Sequence, residues 1–436
     1  MNFFDLSLRF KGFEIAKAKR HLAHLHSQSK DGFSNYLKTQ KQSILRHHIE
    51  NNSFYRDFAK DFDRENWNAV PVRTKRDLQR PLSERLSDGY DINSVYINKT
   101  SGSSGDPFTF AKDKWCHALT WAVIIDRFGW HGVDFNRSKQ ARFYGIPLDK
   151  RSYYKERLKD WLANRFRFSV FDLSDDAFAQ CVSKFKNTPF DYINGYTSAI
   201  VQFAKYLERK DIILSQICPS LKVCMTTSEM LFEDDRALLE TRFGIAIVNE
   251  YGASELDLIA FQNKERLFQV NSETLFVEIL DENNSPLPYG EEGRIVITSL
   301  YNKAHPFIRY DIGDIGALSE ESTLQKPILK SLIGRVDDLV RLPSGKKAAG
   351  LTFYYITKSI IEDSGKVKAF IIEQLKLDTF KIKYTSEFSI DDTLKQHILK
   401  AFETYLEPEL KVIFERCTNL ERSRSGKLKQ FKSYIN

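Results

Sequence analysis

Long apolar runs and paired cysteines are both missing from this chain of 436 residues. No stretch approaches the ~18 apolar residues of a membrane-spanning helix, and no apolar core follows the basic residues of the N-terminus. We therefore expect neither an integral membrane segment nor a secretory signal. The five cysteines form no C-x-x-C pair, so we expect buried free thiols. These absences predict a cytoplasmic protein.

The first fifty residues contain nine lysine and arginine residues against four acidic ones, an excess that a solvated helix face explains more readily than a membrane surface or nucleic acid. Lysine and arginine number 65 against 58 acidic residues, a formal net charge of +7, and the two signs are interleaved along the chain. Because no basic stripe carries exposed aromatic residues, nucleic acid is not the expected partner. A content of 42% hydrophobic residues over this length predicts a folded chain with two or three cores.

A P-loop is also missing. The pair Gly426-Lys427 has Glu421 where the first glycine of that motif belongs, and Leu428 where serine or threonine belongs. A Walker-type ATPase is therefore excluded.

A polar run of small residues, TSGSSGDP at residues 100–107, follows an apolar stretch and precedes a helical pattern that begins near Lys114. Such a run bends tightly and offers backbone N–H groups and hydroxyls to a polyphosphate. Alone, it is also typical of an ordinary surface turn. The candidate phosphate-binding residues are Thr100, Ser101, Gly102, Ser103, Ser104 and Gly105.

Four further polar motifs follow this loop in a fixed order. They are NEYGASE at 249–255, FIRYDIGD at 307–314, IGRVDD at 333–338 and SRSGKLK at 423–429. With these motifs, the chain resembles the adenylate-forming superfamily of acyl-CoA synthetases, adenylation domains and luciferase. It is most similar to the phenylacetate-CoA ligase branch, including relatives associated with capsular polysaccharide biosynthesis. The resemblance runs from about Tyr96 to Lys429.

The pattern of elements predicts an α/β fold with a large layered N-terminal domain and a small C-terminal α+β domain. Residues 1–90 read as a helical lead-in, after which strands alternate with helices, including a helix over 153–166. Strand-like segments dominate 265–320, where we expect a β subdomain. We place the AMP-binding domain at 1–334 and the second domain at 335–436, and the resemblance implies that the second domain is mobile.

The resemblance assigns roles in the nucleotide site. The loop would bind the β- and γ-phosphates, although Asp106-Pro107 stands where the family usually has a lysine. In NEYGASE, Tyr251 and Gly252 would face adenine, Ser254 the α-phosphate, and Glu255 would bind Mg²⁺, for which a single carboxylate plus phosphate oxygens suffices. Glu229 is a second acidic candidate. Each of these residues is also compatible with an ordinary turn or core position.

The later motifs supply the remaining implied roles. Asp314 would accept the ribose hydroxyls, with Asp311 as its rival, and Arg335 would reach the ribose or phosphate. Asp337 would be the hinge of the C-terminal domain. Lys427 would be the catalytic lysine of adenylation; a basic tail is the alternative. The aromatic segments ARFYGIP and YINGYTS place Tyr144, Gly145 and Tyr196 as candidates for the acid pocket, or for core.

The predicted activity is that of an ATP-dependent acid–thiol ligase, which forms acyl-AMP and transfers the acyl group to a thiol, with ATP and Mg²⁺ as cofactors. The expected partners are a small carboxylic acid and coenzyme A or another thiol or acceptor, and a homodimer is possible. Two alternatives stay open. One is an adenylyltransferase or acyl-transferring ligase with a non-thiol acceptor in polysaccharide or cofactor biosynthesis; the other is a non-catalytic nucleotide-binding protein.

Overall fold

The computed structural model describes residues 3–100, 108–147, 150–229, 231–333, 340–348, 352, 353, 356, 367–386, 389–420 and 431–435. Within these ranges, no helix has both the length and the hydropathy needed to cross a membrane. All five cysteines lie in described segments and are free thiols, and only Cys417 is not buried.

The N-terminal segment is helical, as predicted. The helices are α1 (Phe3–Phe10), α2 (Ile15–His26), α3 (Lys30–Asn51), α4 (Ser53–Phe58) and α5 (Leu82–Arg85), with 3-10 turns at Trp67–Ala69 and Arg76–Leu78. Ser29 and Asn52 begin α3 and α4 by accepting hydrogen bonds from the backbone N–H groups of Gly32 and Tyr55.

An eleven-stranded sheet follows the two-stranded pair β1 (Tyr96–Lys99) and β2 (Thr109–Lys112). The strands of the large sheet are β3 (Gln140–Phe143), β4 (Arg165–Phe168), β5 (Tyr192–Tyr196), β6 (Val223–Thr227), β7 (Ala246–Ala253), β8 (Asp257–Gln262), β9 (Phe268–Val270), β10 (Leu275–Leu280), β11 (Gly293–Ser299), β12 (Tyr310–Leu318) and β13 (Ile328–Ile333). Their spatial order is β10-β11-β12-β13-β9-β8-β7-β6-β5-β3-β4.

The sheet changes character at β7. Strands β4, β3, β5, β6 and β7 are parallel, whereas β7 pairs antiparallel with β8 and the remaining strands are antiparallel. The strands within 265–320 therefore continue the same sheet rather than standing beside it. The loops that follow the parallel strands lie at one edge of the sheet, near the turn between β7 and β8.

Helices cover both faces of the parallel strands. They are α6 (Lys114–Gly129), α7 (Lys150–Leu162), α8 (Asp175–Lys186), α9 (Thr197–Arg209), α10 (Leu214–Ile217) and α11 (Glu233–Phe243). Helices α8, α9 and α11 bury one face through a core that includes Phe185, Phe203 and Phe243. Helix α6 packs through Phe128 on the other face, against Met225 and Val248.

The prediction of a helix over 153–166 is wrong at its C-terminal end. Helix α7 ends at Leu162, and the next strand, β4, begins at Arg165. Asn164 has a φ of 50°, a left-handed conformation that asparagine tolerates and that ends a helix. The alternating sequence RFRF of β4 then suits a strand whose two faces differ.

The C-terminal segment has a small sheet of its own, with strand order β18-β17-β16-β19. Its elements are β16 (Val367–Lys376), β17 (Thr379–Ser386), α12 (Asp392–Tyr405), β18 (Lys411–Arg416) and β19 (Phe431–Ser433), preceded by the pair β14 (Val340–Arg341) and β15 (Lys347–Ala348). A separate hydrophobic core holds these elements together. The predicted combination of a large layered α/β part and a small α+β part is confirmed.

Candidate active site

A cavity of about 580 Å³ lies at the carboxyl ends of β3, β5, β6 and β7. Helix α6 lines it through Trp121, Ile124 and Phe128. In open α/β sheets this edge is where ligands bind, because the loops that follow parallel strands converge there. Of the residues predicted for the site, the cavity is lined by Thr100, Tyr144, Tyr196, Glu229, Tyr251, Gly252, Ser254, Glu255 and Asp314.

The turn from β7 into β8 carries the NEYGASE motif into the cavity. A Cβ atom at Gly252 would lie 2.5 Å from the carbonyl oxygen of Asp257, so only glycine allows the two strands to close at this point. Ser254 is exposed on this turn and lines the cavity. The tight turn therefore presents polar groups of the motif at the junction of the sheet.

Two residues that the sequence assigned to separate motifs are joined directly. The hydroxyl of Tyr251 donates a hydrogen bond of 2.8 Å to Oδ2 of Asp314, and both side chains are largely buried. This bond fixes the position of the Asp314 carboxylate at the cavity wall. Asp311, the rival candidate, instead pairs with Arg294 at 2.7 Å. The geometry therefore favours Asp314 over Asp311 as a ligand-binding carboxylate.

Glu255 is 2% exposed, and the partners of its carboxylate include a tyrosine hydroxyl and a lysine. The hydroxyl of Tyr310 donates to Oε1 at 2.7 Å, and Nζ of Lys75 lies 3.5 Å from the same oxygen. The segment around Lys75 thus brings a cation to the same wall of the cavity.

The donors around Glu255 fit a magnesium ion. Magnesium binds hard oxygen ligands and usually takes one or two carboxylates together with phosphate oxygens. Glu255 supplies a fixed carboxylate at the cavity wall, and Lys75 beside it would meet the phosphate oxygens that complete such a site. Among the described residues there is no group of three or more His, Cys, Asp or Glu that could hold a metal without a substrate.

Glu229 lines the cavity and also forms hydrogen bonds that stabilise the fold. Its carboxylate accepts hydrogen bonds from the backbone N–H and from the hydroxyl of Ser198, in the first turn of α9. The preceding residue, Ser228, has a φ of 70°, so the turn after β6 is tight. A carboxylate at a helix N-terminus is stabilised by the helix dipole, which explains this acid without a metal.

Glu250, at the end of β7, also lines the cavity and was not predicted. Burial raises the pKa of its carboxyl group to about 7, although the hydroxyl of Thr227 and the charge of Arg142 partly oppose the shift. At neutral pH this carboxyl group therefore exchanges between its neutral and charged forms.

Two of the three residues predicted for an acid pocket line the cavity. The rings of Tyr144 and Tyr196 lie 4.6 Å apart between centroids and both line the cavity. Gly145 is not among the lining residues, and its carbonyl oxygen accepts a hydrogen bond from Arg167 at 2.9 Å. The wall continues through Tyr192, the first residue of the segment YINGYTS, and through aromatic side chains that the sequence did not single out, namely Phe4, Trp121, Phe128 and Phe135.

Eight of the predicted residues lie outside the described part of the chain. They are Ser101, Gly102, Ser103, Ser104 and Gly105 of the loop, Arg335, the hinge residue Asp337, and Lys427. Thr100, where the described chain enters the loop, accepts a hydrogen bond at Oγ1 from the backbone N–H of Phe108. The two ends of the loop are thereby tied together beside the cavity.

Several lining residues escaped the sequence analysis. Arg142 and Arg165 had a signal in the strand sequences QARF and RFRF, where a polar residue occupies every second position of a parallel strand. Lys75 had none, because a lysine in the basic segment RTKRDL is indistinguishable from a solvated one. Its position depends on long-range pairing, in which Arg73 donates its backbone N–H to the carbonyl oxygen of Arg309.

Comparison with known proteins gives relatives in sequence and in structure. Protein CapK from Staphylococcus aureus is 24% identical over 334 residues, covering 73% of this chain and 69% of the relative. Phenylacetate-coenzyme A ligase from Aromatoleum evansii is 24% identical over 326 residues, covering 70% of each. No protein-family model matches the chain.

Solved structures of 2-hydroxyisobutyryl-CoA ligase share the fold. The open conformation, in complex with 2-HIB-AMP and CoA, has a TM-score of 0.56 at 15% identity, with 93% of this chain and 92% of that chain covered. The same ligase in its thioesterification state has a TM-score of 0.57, with 92% and 89% covered. These findings confirm the predicted relationship to the adenylate-forming superfamily and its phenylacetate-CoA ligase branch, and they support the interpretation as an AMP-forming ligase.

Proposed function

We propose that this chain activates a carboxylic acid with ATP to form acyl-AMP and then transfers the acyl group to a thiol, coenzyme A in the first instance. The observation that carries the proposal is the single cavity lined by both sets of groups: Tyr251, Ser254, Glu255 and Asp314 for a nucleotide, and Tyr144 and Tyr196 for an acid. The sequence similarity to a phenylacetate-coenzyme A ligase supports the same reaction.

In the first half-reaction, an oxygen of the substrate carboxylate bonds to the α-phosphorus of ATP, and the bond from that phosphorus to the bridging oxygen breaks, releasing pyrophosphate. The two reactants are both anions, so the site must hold them together against repulsion. Asp314, fixed by Tyr251, would accept the ribose hydroxyls, and Lys75 would neutralise phosphate charge. Mg²⁺, when bound at Glu255, supplies further neutralisation of the phosphate oxygens.

In the second half-reaction, the sulfur of the thiol attacks the acyl carbon, the bond from that carbon to the AMP oxygen breaks, and the thiol proton passes to solvent. We propose that the C-terminal segment from about Arg335 forms a mobile domain that turns about Asp337 and brings Lys427 to the reacting carboxylate in the first step. The separate core of this segment supports that division.

The test is an ATP–pyrophosphate exchange screen over a panel of carboxylic acids, followed by product analysis with coenzyme A, other thiols, amines or no acceptor. We expect exchange with a restricted set of acids, and formation of a thioester with coenzyme A. Lys427→Ala should slow exchange by about 10²-fold or more, while thioester formation from preformed acyl-AMP stays nearly intact. ATP binding without exchange for any acid would favour the non-catalytic alternative instead, and exchange without a thioester would favour a non-thiol acceptor.

A further inference from the structure

The face of the sheet that lines the cavity is polar where a covered face is normally apolar. On β3, Ala141 and Phe143 point into the core beneath α8 and α9, so Gln140 and Arg142 occupy the opposite face, on the cavity side. The strand register places Asn194 of β5 directly beside Arg142. Buried polar side chains cost stability unless they form hydrogen bonds. Gln140 donates a hydrogen bond to Asn194, and Asn194 donates one to the carbonyl oxygen of Met225.

Among these polar side chains of β3 and β5, Arg142 has a hydrogen-bond donor without an acceptor. Its guanidinium group lies over the ring of Tyr144, 4.1 Å from the centroid, and its Nε atom is buried without a hydrogen-bond partner. Among the residues that the structure describes, no carboxylate forms an ion pair with it. A half-buried guanidinium group without an ion-pair partner lowers the stability of the fold. Its presence in the cavity wall therefore indicates that it binds a ligand.

The neighbouring arginines differ from Arg142 in this respect. Arg165 donates to Asp160, and Arg167 donates to Asp160 and Glu156. Burial lowers the pKa of Arg165, and the charge of Arg142 lowers it further, so the two guanidinium groups repel each other across the pocket. The acids on α7 are therefore occupied by Arg165 and Arg167, and the positive charge of Arg142 faces the cavity.

Glu250 does not remove this positive charge. It is the acid close enough to interact electrostatically with Arg142, yet burial raises its pKa to about 7. A substrate oxyanion placed at Arg142 would raise that pKa further and favour the neutral form. With Glu250 neutral, its carboxyl group does not neutralise the guanidinium charge of Arg142, which stays available to an anion.

We propose that the activated acid is a short dicarboxylic acid, whose second carboxylate binds the guanidinium group of Arg142. This inference rests on the proposed function and specifies its substrate class. The first carboxylate is the one that ATP activates. The part of the acid between its carboxylates packs against the aromatic wall that includes Tyr192 and Phe128.

The test compares matched acids in the pyrophosphate exchange assay of the full chain: succinate with butyrate, adipate with hexanoate, and 4-carboxyphenylacetate with phenylacetate. We expect the wild type to prefer one of the diacids over its monoacid counterpart by about 10²-fold or more in kcat/KM. Arg142→Met should abolish this preference, mainly by raising the KM for the diacid, so that kcat/KM falls much further for the diacid than for the monoacid.

Arg157→Met is the matched control, because Arg157 is also a partly buried arginine stacked on an aromatic ring, Tyr153, but does not line the cavity. It should keep the preference for the diacid. If Arg142→Met does not fold, Arg142→Lys keeps a positive charge and should keep much of the preference. Titration of the wild type with the diacid alone, followed by calorimetry, gives a second readout that requires no catalysis.

The outcomes separate the two proposals. Exchange with monoacids at equal or higher kcat/KM, or equal losses for both acids in Arg142→Met, would overturn the dicarboxylate inference and leave the ligase function standing. Diacid binding that depends on Arg142, without exchange for any acid of the panel, would support the carboxylate subsite and count against the ligase function.

Discussion

At the scale of single residues, the candidate site depends on a few buried acids whose partners determine their roles. Glu255 lies between a tyrosine hydroxyl and a lysine, Asp314 receives the hydroxyl of Tyr251, and Glu229 receives two donors from Ser198. These hydrogen-bond partners distinguish the roles of the three carboxylates more clearly than the sequence does. In the sequence, each one is an acid beside a Gly- or Ser-rich turn.

Glu255→Gln removes the charge that would hold magnesium and keeps the shape of the side chain. We expect it to abolish most activity and to raise the Mg²⁺ concentration for half-maximal exchange by about tenfold or more. Tyr310→Phe is the matched control, because it removes the hydrogen bond of 2.7 Å to Glu255 but leaves the carboxylate. Its Mg²⁺ requirement should change much less. Unaltered magnesium dependence in Glu255→Gln would transfer the role to another acid, and Glu229 would be the first to test.

Glu250 makes the stability of the fold depend on pH. Burial raises its pKa from 4.5 to about 7, so the folded chain keeps a proton that the unfolded chain releases between these values. The free energy of unfolding therefore falls as the pH rises through this window. Glu250→Gln should stabilise the protein at pH 8 by on the order of 1 to 3 kcal/mol and have little effect at pH 4.5.

Thermal or urea unfolding at the two pH values measures this difference. The exposed Glu265, on the turn between β8 and β9, provides the control, because its replacement by glutamine should change stability little at either pH. A stabilisation of Glu250→Gln that is the same at pH 4.5 and pH 8 would contradict the assigned titration.

At the scale of secondary-structure elements, α6 forms the roof of the cavity and Asp113 fixes its start. One oxygen of Asp113 accepts from the backbone N–H groups of Trp115 and Cys116, both at 2.9 Å, and the other accepts from the N–H of Lys303 at 2.8 Å. The same side chain thus caps the helix and ties it to the segment after β11. Local packing and site geometry are coupled through this cap.

Asp113→Ala should lower the free energy of unfolding by about 1 to 2 kcal/mol and also raise the KM for the acid, because the roof of the pocket loses its anchor. Ser174→Ala removes the analogous cap of α8, which packs on the opposite face of the sheet. It should destabilise by a similar amount without changing the KM. Both quantities follow from urea unfolding and from exchange kinetics. An unchanged KM in Asp113→Ala would mean that α6 holds its place without the cap.

Elements with a strong local pattern could be predicted, and those whose boundaries depend on one residue could not. The helical start near Lys114 and the strands at 294–299 and 379–384 were within reach of the sequence, because caps and alternation are local signals. Strand β4 was missed because Asn164 alone ends α7. Lys75 was missed as a site residue because only the long-range hydrogen bond between Arg73 and Arg309 brings its segment to the cavity.

At the scale of the whole molecule, the described residues form two separate sets of hydrophobic cores. The C-terminal core contains residues from Val340 onward, and the cores around the large sheet are built almost entirely from residues before it. Among the described residues, Tyr405 of α12 is one bridging side chain, since it packs against both sets of cores and its ring centroid lies 5.0 Å from that of Phe171. Such an arrangement suits two units that fold separately and change their contacts.

A chain that ends after Ile333 tests this division. Strand β13 would be complete and would keep its pairing with β12 and β9, so we expect a folded fragment that unfolds cooperatively and binds ATP or AMP. It should catalyse neither half-reaction, because Lys427 and the rest of the C-terminal segment are absent.

In the full chain, Asp337→Pro restricts backbone rotation at the proposed hinge and should impair thioester formation more than adenylation. Because hinge rotation is needed only between the two steps, equal effects on both half-reactions, or full activity of the fragment, would make the C-terminal segment a passive cover.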